Sequence, residues 1–216
     1  MVRAAGILKL KKMNILLACE CSGIVRDAFR DRGHNAVSCD LKPCERGSRY
    51  HIQDHALNVI CDGWDMLIAF PPCTHLAVSG ARWFDAKYLL QCEAITFFLS
   101  LANAPIKKKC IENPVGIMST FWRQPDQIIQ PYFFGDEVQK TTCLWLEGLP
   151  KLTHYKQTDL FNEKSHVYKG DTITWGSGVK MQKWFNDTKK ADKALTSELR
   201  SKTFPGIANA MAMQWG

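Results

Sequence analysis

The sequence has no long hydrophobic run. Its longest apolar segments, such as residues 15–18 and 66–70, are only as long as a β-strand, whereas a helix that crosses a membrane needs about 18 or more apolar residues. Residues 1–12 are basic and resemble the start of a signal peptide, but the apolar segment that follows them is too short for one. We therefore expect no membrane-spanning helix and no signal peptide, with a folded part that begins at Met13.

The nine cysteines also lack the spacing of a disulfide framework or a zinc site. Their number is odd, they are scattered, and most adjoin apolar residues, as is typical of small buried side chains in a reducing compartment. The sequence contains no C-x-x-C pair, which zinc sites commonly use. We expect an intracellular protein without a metal, and the weaker alternative is a zinc site formed by Cys19, Cys21, Cys39 and Cys44.

Length and composition are those of a soluble globular protein. Of the 216 residues, 46% are hydrophobic and 23% are charged, and this balance does not suggest disorder. The length accommodates one domain with a substantial core and a small additional lobe. The net charge of +7 is concentrated in residues 1–50 and 151–216, while residues 51–100 are mildly acidic. Basic ends favour a polyanionic partner, although lysines on solvated helices would give the same pattern.

Strand-like and helix-like segments alternate through the first two thirds of the sequence. Apolar runs and helical spacing predict strands at residues 14–18, 35–39, 65–70 and 109–111 and helices at residues 24–32 and 88–102. The alternation predicts an α/β fold with a doubly wound, mostly parallel sheet that helices cover on both faces. In such sheets ligands bind at the carboxyl ends of the strands.

The turn after the first predicted strand contains a single glycine. Residues 20–23 read Glu-Cys-Ser-Gly and lack the G-x-G-x-x-G pattern that holds a pyrophosphate. Asp40, at the end of the second predicted strand, is suited to ribose hydroxyls, and Asp54 lies where a third loop could reach an adenine. These features favour S-adenosylmethionine over a dinucleotide, with a dehydrogenase as the alternative.

Two further motifs follow later predicted strands. Phe70-Pro71-Pro72-Cys73 ends one apolar run, and Glu112-Asn113-Pro114 ends the next strand. Paired prolines fix the backbone, so that the Cys73 thiol is presented and not packed. A buried Glu112 carboxyl can hold a proton near neutral pH, which attack of a thiolate on C6 of cytosine requires at N3. The alternatives are that Pro-Pro-Cys is a tight turn that holds a buried thiol, and that Glu112-Asn113-Pro114 is only the end of a strand. A dehydrogenase would leave Cys73 and Glu112 without a role.

These motifs, in this order, resemble those of the DNA (cytosine-5)-methyltransferase family, and the chain is most similar to its small phage-type members. The resemblance covers residues 13–150 and 200–216, where Gly206-Ile207-Ala208-Asn209-Ala210 is similar to the family's last motif. It implies a Rossmann-like class I methyltransferase fold and transfer of a methyl group from S-adenosylmethionine to C5 of cytosine in DNA, through a covalent bond between Cys73 and C6. It also implies the bacterial host cytoplasm as the location of a phage-encoded member.

The motifs and the resemblance together assign roles to individual residues. The catalytic residues are Cys73, Glu112, Asn113 and Pro72. The cofactor-binding residues are Cys19, Glu20, Cys21, Ser22, Gly23, Asp40, Asp54, Phe70 and Asn209. The residues that contact nucleic acid are Ser79, Arg82, Lys140, Lys180 and Lys183.

The chain departs from the family pattern in several places. The cofactor turn lacks the family's phenylalanine and second glycine, and the basic motif is reduced to Gln139-Lys140-Thr141. Only residues 151–200 lie between a catalytic domain at residues 13–150 and a returning segment at residues 201–216, whereas full-length family members have a much longer recognition region. We expect short or relaxed sequence specificity, and a homo-oligomer or an accessory subunit stays open as a way to supply what the lobe lacks.

Two other functions stay open from the sequence. The chain could methylate a free pyrimidine nucleotide or RNA, or it could bind DNA or the cofactor without catalysis. The presence of both Cys73 and Glu112 argues against a non-catalytic role. The product, 5-methylcytosine, could be final or a precursor of further base modification.

Overall fold

Seven β-strands form the central sheet in the computed structural model, which describes residues 11–78, 88–154, 168–176, 178, 180–188 and 192–216. In chain order, strands β1 to β7 are Asn14–Ala18, Asn35–Asp40, His51–Gln53, Met66–Ala69, Lys108–Pro114, Gln127–Ile129 and Thr142–Glu147. They lie in the order β3-β2-β1-β4-β5-β7-β6. Strand β7 runs antiparallel to β5 and β6, and the remaining pairs are parallel.

Helices cover both faces of this sheet. Helices α1 to α7 are Ile24–Asp31, Ala56–Val59, Tyr88–Ala102, Met118–Phe121, Lys183–Thr188, Lys193–Ser201 and Pro205–Trp215. Helices α1 and α7 pack on the face that includes Ile15 and Leu17, and α2 and α3 pack on the face that includes Leu16 and Ala18. Both sides of β1 are buried because alternate residues point to opposite covered faces. The predicted α/β, doubly wound, mostly parallel architecture is confirmed, and it is compatible with a Rossmann-like fold.

None of the helices in the described ranges is long and apolar enough to cross a membrane.

The register of the parallel strands places three chain segments side by side. Ala18 of β1 lies opposite Ala69 of β4, and Ala69 lies opposite Ile111 of β5. The residues that follow Ala18, Ala69 and Ile111 begin the predicted cofactor turn, the Pro-Pro-Cys segment and the Glu112-Asn113 motif, respectively. These motifs therefore start at one level, at the edge of the sheet where ligands bind in this class of fold.

Strand β5 is longer than the sequence predicts. It continues through Glu112 and Asn113 to Pro114, because β7 pairs with it and places Leu144 opposite Glu112. The prediction ended this strand before Glu112. The acid therefore projects from a hydrogen-bonded strand, whose backbone is more restricted than that of a loop.

The described residues between 168 and 201 form two short strands and two helices, which we call the lobe. Its strands β8 (Thr172–Thr174) and β9 (Lys180–Gln182) form an antiparallel hairpin, and α5 and α6 follow. The Trp184 indole N–H donates to the Gln139 carbonyl at 3.3 Å, and the ring packs edge-on against Phe204. The described part of this segment consists mainly of a hairpin and two helices.

Candidate active site

The Pro-Pro-Cys segment leaves β4 as a tight turn. The Phe70 N–H donates to the carbonyl of the last β1 residue at 2.9 Å, which extends the sheet pairing by one residue. The Cys73 carbonyl accepts from the N–H groups of Leu76 and Ala77, at 3.0 and 2.9 Å, and this closes one helical turn. Pro72 is exposed and Cys73 is half-buried. The turn thus holds a half-buried Cys73 on a backbone that the two prolines restrict.

Asn113 joins the acid's strand to the nucleophile segment. Its side chain is 2% exposed. The amide Nδ2 donates to the Pro71 carbonyl at 2.8 Å, across 42 residues of sequence. A buried amide that lost this acceptor would leave a polar group unsatisfied, which is costly. Asn113 therefore fixes the distance between the strand that carries Glu112 and the turn that carries Cys73.

The loops that follow the two motifs are also joined. The Ile117 N–H donates to the Leu76 carbonyl at 2.8 Å, and the Val78 N–H donates to the Val115 carbonyl at 3.1 Å. A Cβ atom on Gly116 would lie 2.1 Å from the Leu76 carbonyl oxygen, so only glycine permits this approach. The two loops form one rigid unit beside the thiol and the acid.

Cys73, Glu112 and Lys140 interact electrostatically. Burial raises the pKa of the Glu112 carboxyl, and the nearby Lys140 ammonium acts in the opposite direction. Burial also raises the pKa of the Cys73 thiol, Glu112 raises it further, and Lys140 lowers it. The resting site therefore combines a protonated thiol with a carboxyl that retains its proton to a higher pH than usual. One group can become a nucleophile while the other donates a proton.

Lys140 lies against the small lobe. Its Nζ is 5.9 Å from the centre of the Phe204 ring, and the preceding residue, Gln139, accepts the hydrogen bond from Trp184. Lys140 is half-buried. The structure therefore brings Lys140, which we predicted to contact nucleic acid, together with Cys73 and Glu112.

The cofactor turn contains a buried carboxyl group at the start of α1. Glu20 is 5% exposed, and its Oε1 accepts from the Val25 N–H and from the Ser22 hydroxyl, both at 3.0 Å. Cys19 and Gly23 adopt positive φ angles of 59° and 74°, which turn the chain sharply between β1 and α1. Burial raises the pKa of Glu20 to about 7.

The position of Glu20 limits what can bind at this turn. The N-terminus of a helix is the usual site for a phosphate in dinucleotide-binding folds, and here a carboxylate oxygen already accepts from the Val25 N–H. The other oxygen, Oε2, is buried and has no hydrogen-bond partner among the described residues. Arg26 also acts on this carboxyl, and its charge and backbone N–H both lower the pKa of Glu20. The turn therefore leaves the Val25 N–H unavailable to a pyrophosphate.

Asp40 and Asp54 lie together at the ends of β2 and β3. The Asp54 N–H donates to the Asp40 carbonyl at 3.1 Å. The Asp54 carboxylate accepts from the His55 N–H at 2.6 Å and from the Asn58 amide at 2.9 Å, and these bonds lower its pKa. Asp40 accepts from the Lys42 N–H at 2.9 Å. Both carboxylates are half-buried, and each can accept further hydrogen bonds from ribose or adenine.

The other predicted residues are more dispersed. Phe70 packs partly into the core on the α1 and α7 side. Asn209 is exposed on α7. Lys180 is exposed on β9, and Lys183 is exposed and lies 3.4 Å from Asp171. Ser79 and Arg82 fall outside the described residues.

Sequence analysis missed a buried arginine below the cofactor turn. The Arg26 side chain is 0% exposed, and its Nη1 donates to the Ser38 hydroxyl at 2.9 Å and to the Cys44 sulfur at 3.3 Å. The Ser38 hydroxyl is 2.9 Å from His51 Nδ1. The only available signal was an arginine at a core-facing position of α1, beside Val25. The network connects α1 to the loop after β2.

The proposed alternative of a zinc site finds no support in the described part of the chain. Its cysteines include Cys44, which contacts Arg26, and Cys21, whose thiol lies 3.7 Å from a Glu45 carboxylate oxygen. Within the described residues, no group of three or more His, Cys, Asp or Glu side chains is arranged to hold a metal ion.

No protein-family model matches the chain, and no curated protein matches it either. The functional assignment therefore depends on the geometry of the site and on the motifs that it contains.

Proposed function

We propose that the protein transfers a methyl group from S-adenosylmethionine to C5 of cytosine in DNA. The main support is the hydrogen bond from Asn113 to Pro71, which links the Cys73 turn to the Glu112 strand beside the cofactor turn. A thiol, a carboxyl with a raised pKa and a lysine then interact in one place. A Rossmann-like class I methyltransferase fold agrees with the mostly parallel sheet and its antiparallel β7.

Cys73 acts as the nucleophile. Its thiol proton passes to solvent water, and the thiolate adds to C6 of the cytosine, so that a sulfur–carbon bond forms as the C5–C6 double bond opens. The Lys140 cation favours the thiolate because it lowers the pKa of Cys73. After C5 has gained its methyl group and lost its proton to water, the sulfur–carbon bond breaks, the C5–C6 double bond re-forms, and N3 returns to Glu112 the proton that it took from that carboxyl group.

Glu112 donates a proton to N3 of the cytosine. Addition of the thiolate pushes electrons into the ring, and protonation at N3 neutralises the negative charge that develops there. The raised pKa of Glu112 keeps the acid form available. Asn113 acts as a positioning residue, because it holds the strand of Glu112 against the turn of Cys73.

When bound, S-adenosylmethionine supplies the electrophilic methyl group. The turn that contains Glu20 would hold its amino-acid end, and Asp40 and Asp54, which are joined at the ends of β2 and β3, would hold its ribose and adenine. The carboxylate at the N-terminus of α1 weighs against a dehydrogenase, whose dinucleotide would place a pyrophosphate there.

The substrate is assigned to DNA from the charge and length of the lobe. Exposed Lys180 and Lys183 lie on β9 and α5, and Lys169, which is also exposed, lies at the start of the lobe. Lysines give affinity for phosphates without sequence preference. The lobe is short, so we propose short or relaxed sequence specificity. A target base must leave the stack to reach Cys73, because C5 and C6 are inaccessible inside a duplex.

The test is transfer of tritium from labelled S-adenosylmethionine to unmethylated duplex DNA, followed by nucleoside analysis. We expect 5-methylcytosine with the wild type, none with Cys73→Ala, and a rate at least about 100-fold lower with Glu112→Gln, which cannot donate the same proton. Cys61→Ala is the matched control, because Cys61 is an exposed thiol after α2, and it should keep wild-type activity.

Parallel reactions with deoxycytidine monophosphate and with RNA separate the other substrates. Label in either one at a rate similar to that with DNA would replace the DNA assignment. Label in DNA that persists in Cys73→Ala would contradict the covalent mechanism.

A further inference from the structure

The loop between β2 and β3 reaches back to the cofactor turn. It begins directly after Asp40, and the Glu45 N–H donates to the Cys21 carbonyl at 3.0 Å. The Cys21 thiol also lies 3.7 Å from Oε1 of the Glu45 carboxylate. The loop therefore spans the gap between the ends of β1 and β2, where the proposed function places the amino-acid end and the ribose of S-adenosylmethionine.

The same carboxylate connects this loop to the lobe. Glu45 Oε2 lies 2.7 Å from Lys202 Nζ, and the two side chains are 30% and 28% exposed. Lys202 directly follows α6, the last helix of the lobe, and its Nζ is also 3.4 Å from Glu198 on that helix. One oxygen of Glu45 thus contacts the cofactor turn and the other contacts the end of the lobe. We call the ion pair between Glu45 and Lys202 the strap.

The lobe end of the strap has a fixed base. Arg200, two residues before Lys202, donates from Nε to the Thr188 hydroxyl at 2.9 Å and from Nη2 to the Phe185 carbonyl at 2.8 Å. Thr188 and Phe185 belong to α5, so these bonds join the two helices of the lobe. From this base, Lys202 can hold the loop of Glu45 against the cofactor turn.

The strap is suited to reversible opening and not to permanent closure. An ion pair between partly exposed side chains contributes little net free energy, because water screens the charges and both side chains lose conformational freedom. Such a pair favours the closed loop and lets it open at a modest cost. Salt weakens the pair further, since dissolved ions screen charges beyond about 10 Å at 0.1 M and beyond about 3 Å at 1 M.

We propose that the strap closes the turn between β1 and α1 and limits the exchange of the ligand held there, which is S-adenosylmethionine before the reaction and S-adenosylhomocysteine after it. The identity of the ligand rests on the proposed function. Glu45 and Lys202 act on how long the ligand stays bound and not on the chemistry at C5 and C6.

The experiment measures the dissociation of labelled S-adenosylhomocysteine, by rapid filtration after a chase with unlabelled compound. We expect Glu45→Gln and Lys202→Gln each to speed dissociation about five-fold, and the double variant to add nothing, because both changes remove the same ion pair. Raising the salt from about 0.05 M to about 0.5 M should speed dissociation from the wild type but not from the variants.

Arg46→Gln is the matched control. Arg46 lies on the same loop, and its ion pair with Asp27, at 2.8 Å, joins the loop to α1 and not to the lobe. Its loss also removes one cation and one ion pair. Dissociation of S-adenosylhomocysteine from this variant should stay within about two-fold of the wild type.

Alkylation of Cys21 reports the same opening without any ligand. Iodoacetamide is added to the ligand-free protein, and mass spectrometry of the Cys21 peptide gives the rate. Through charge alone, Lys202→Gln would slow the reaction, because the loss of a nearby cation raises the pKa of a thiol. Opening of the strap would speed it, because Cys21 is half-buried and has Glu45 as a neighbour. We expect faster alkylation in Lys202→Gln and no such gain in Arg46→Gln.

The two measurements separate the strap from the proposed function. Dissociation that does not respond to salt and is unchanged in Glu45→Gln and Lys202→Gln would overturn the strap and leave methyl transfer intact. Alkylation in Lys202→Gln that is slower than or equal to the wild type would overturn it as well. Equal gains in Arg46→Gln would also do so, because they would show a general loosening of the loop. A wild type that binds no S-adenosylhomocysteine, together with faster alkylation in Lys202→Gln, would refute the proposed function and keep the closed turn.

Discussion

Two carboxyl groups at the strand ends hold their protons to a higher pH than usual. Burial raises the pKa of Glu20 to about 7 and also raises that of Glu112. The two groups differ in their partners. Glu20 accepts two hydrogen bonds within its own turn, whereas Glu112 interacts with Cys73 and Lys140 across the site. We therefore expect Glu20 to affect the stability of the turn between β1 and α1, and Glu112 to act in the proposed reaction.

The raised pKa of Glu20 predicts a pH-dependent stability. The folded protein keeps the Glu20 proton up to about pH 7, whereas the unfolded chain loses it near 4.5. The folded state binds more protons between these values, so the free energy of unfolding falls as the pH rises from about 4.5 to 7. Urea unfolding across this range should show a loss of up to about 3 kcal/mol that Glu20→Gln removes.

Glu93→Gln provides the comparison for Glu20→Gln. Glu93 is exposed on α3, so its loss should leave the pH dependence of the wild type intact. A Glu20→Gln variant whose stability still falls with pH as in the wild type would assign the effect to another group.

At the scale of elements, the site depends on the close contact between the β4–α3 and β5–α4 loops. The contact uses the Asn113 side chain and two backbone hydrogen bonds. It is tight at Gly116, where a Cβ atom would lie 2.1 Å from a carbonyl oxygen and 2.8 Å from its carbon. A methyl group there must push the loops apart.

Gly116→Ala tests this contact. Overpacking of this kind costs about 1–3 kcal/mol, so the urea midpoint should fall. Label transfer should fall more steeply than stability, because the Cys73 turn and the Glu112 strand would separate. Gly176→Ala is the control, since a Cβ there meets nothing within 4 Å. Full activity in Gly116→Ala would show that the chemistry tolerates the separation.

The parallel part of the fold was predictable because local sequence patterns mark its strands and helices. Strand β1 and helix α3 have the predicted bounds, since continuous apolar runs and helical spacing mark buried elements. Neither strand β7 nor the extension of β5 through Glu112 was predicted. Its pairing with β5 is set by register across the sheet, which no local pattern encodes.

The candidate site residues were easier to identify from the sequence than the residues that position them. Cys73 and Glu112 stand out by motif, and the structure brings them into electrostatic contact. Arg26 and Gly116 do not stand out, because their roles depend on which side chain or carbonyl lies opposite them in three dimensions. Residues that position others leave little trace in a single sequence.

At the scale of the whole molecule, positive charge is placed on two different edges. Lys12 and Lys107 precede β1 and β5, at the amino ends of the strands, whereas Lys180 and Lys183 belong to the lobe. Lys140, which lies against the lobe, interacts with Cys73 and Glu112. The proposed DNA substrate is therefore expected to lie along the lobe side.

The salt dependence of DNA binding distinguishes the lysines of the lobe from the lysines at the amino ends of the strands. Each phosphate contact contributes about 0.9 to the slope of log K against log salt. Lys180→Ala/Lys183→Ala should reduce the slope measured by fluorescence anisotropy by about 1 to 2 and weaken binding to all sequences similarly. Lys12→Ala/Lys107→Ala should leave the slope unchanged. An unchanged slope in the lobe variant would place the DNA elsewhere.

Under the proposed function, Glu20 also bears on which adenosine compounds the site admits. Nucleoside triphosphates share the adenosine part of S-adenosylmethionine. Their phosphates would meet the Glu20 carboxyl group at the first turn of α1, where other nucleotide-binding proteins offer free N–H groups. If the protein uses S-adenosylmethionine as proposed, discrimination against ATP follows from the way a single helix is capped, before the adenine is recognised at all.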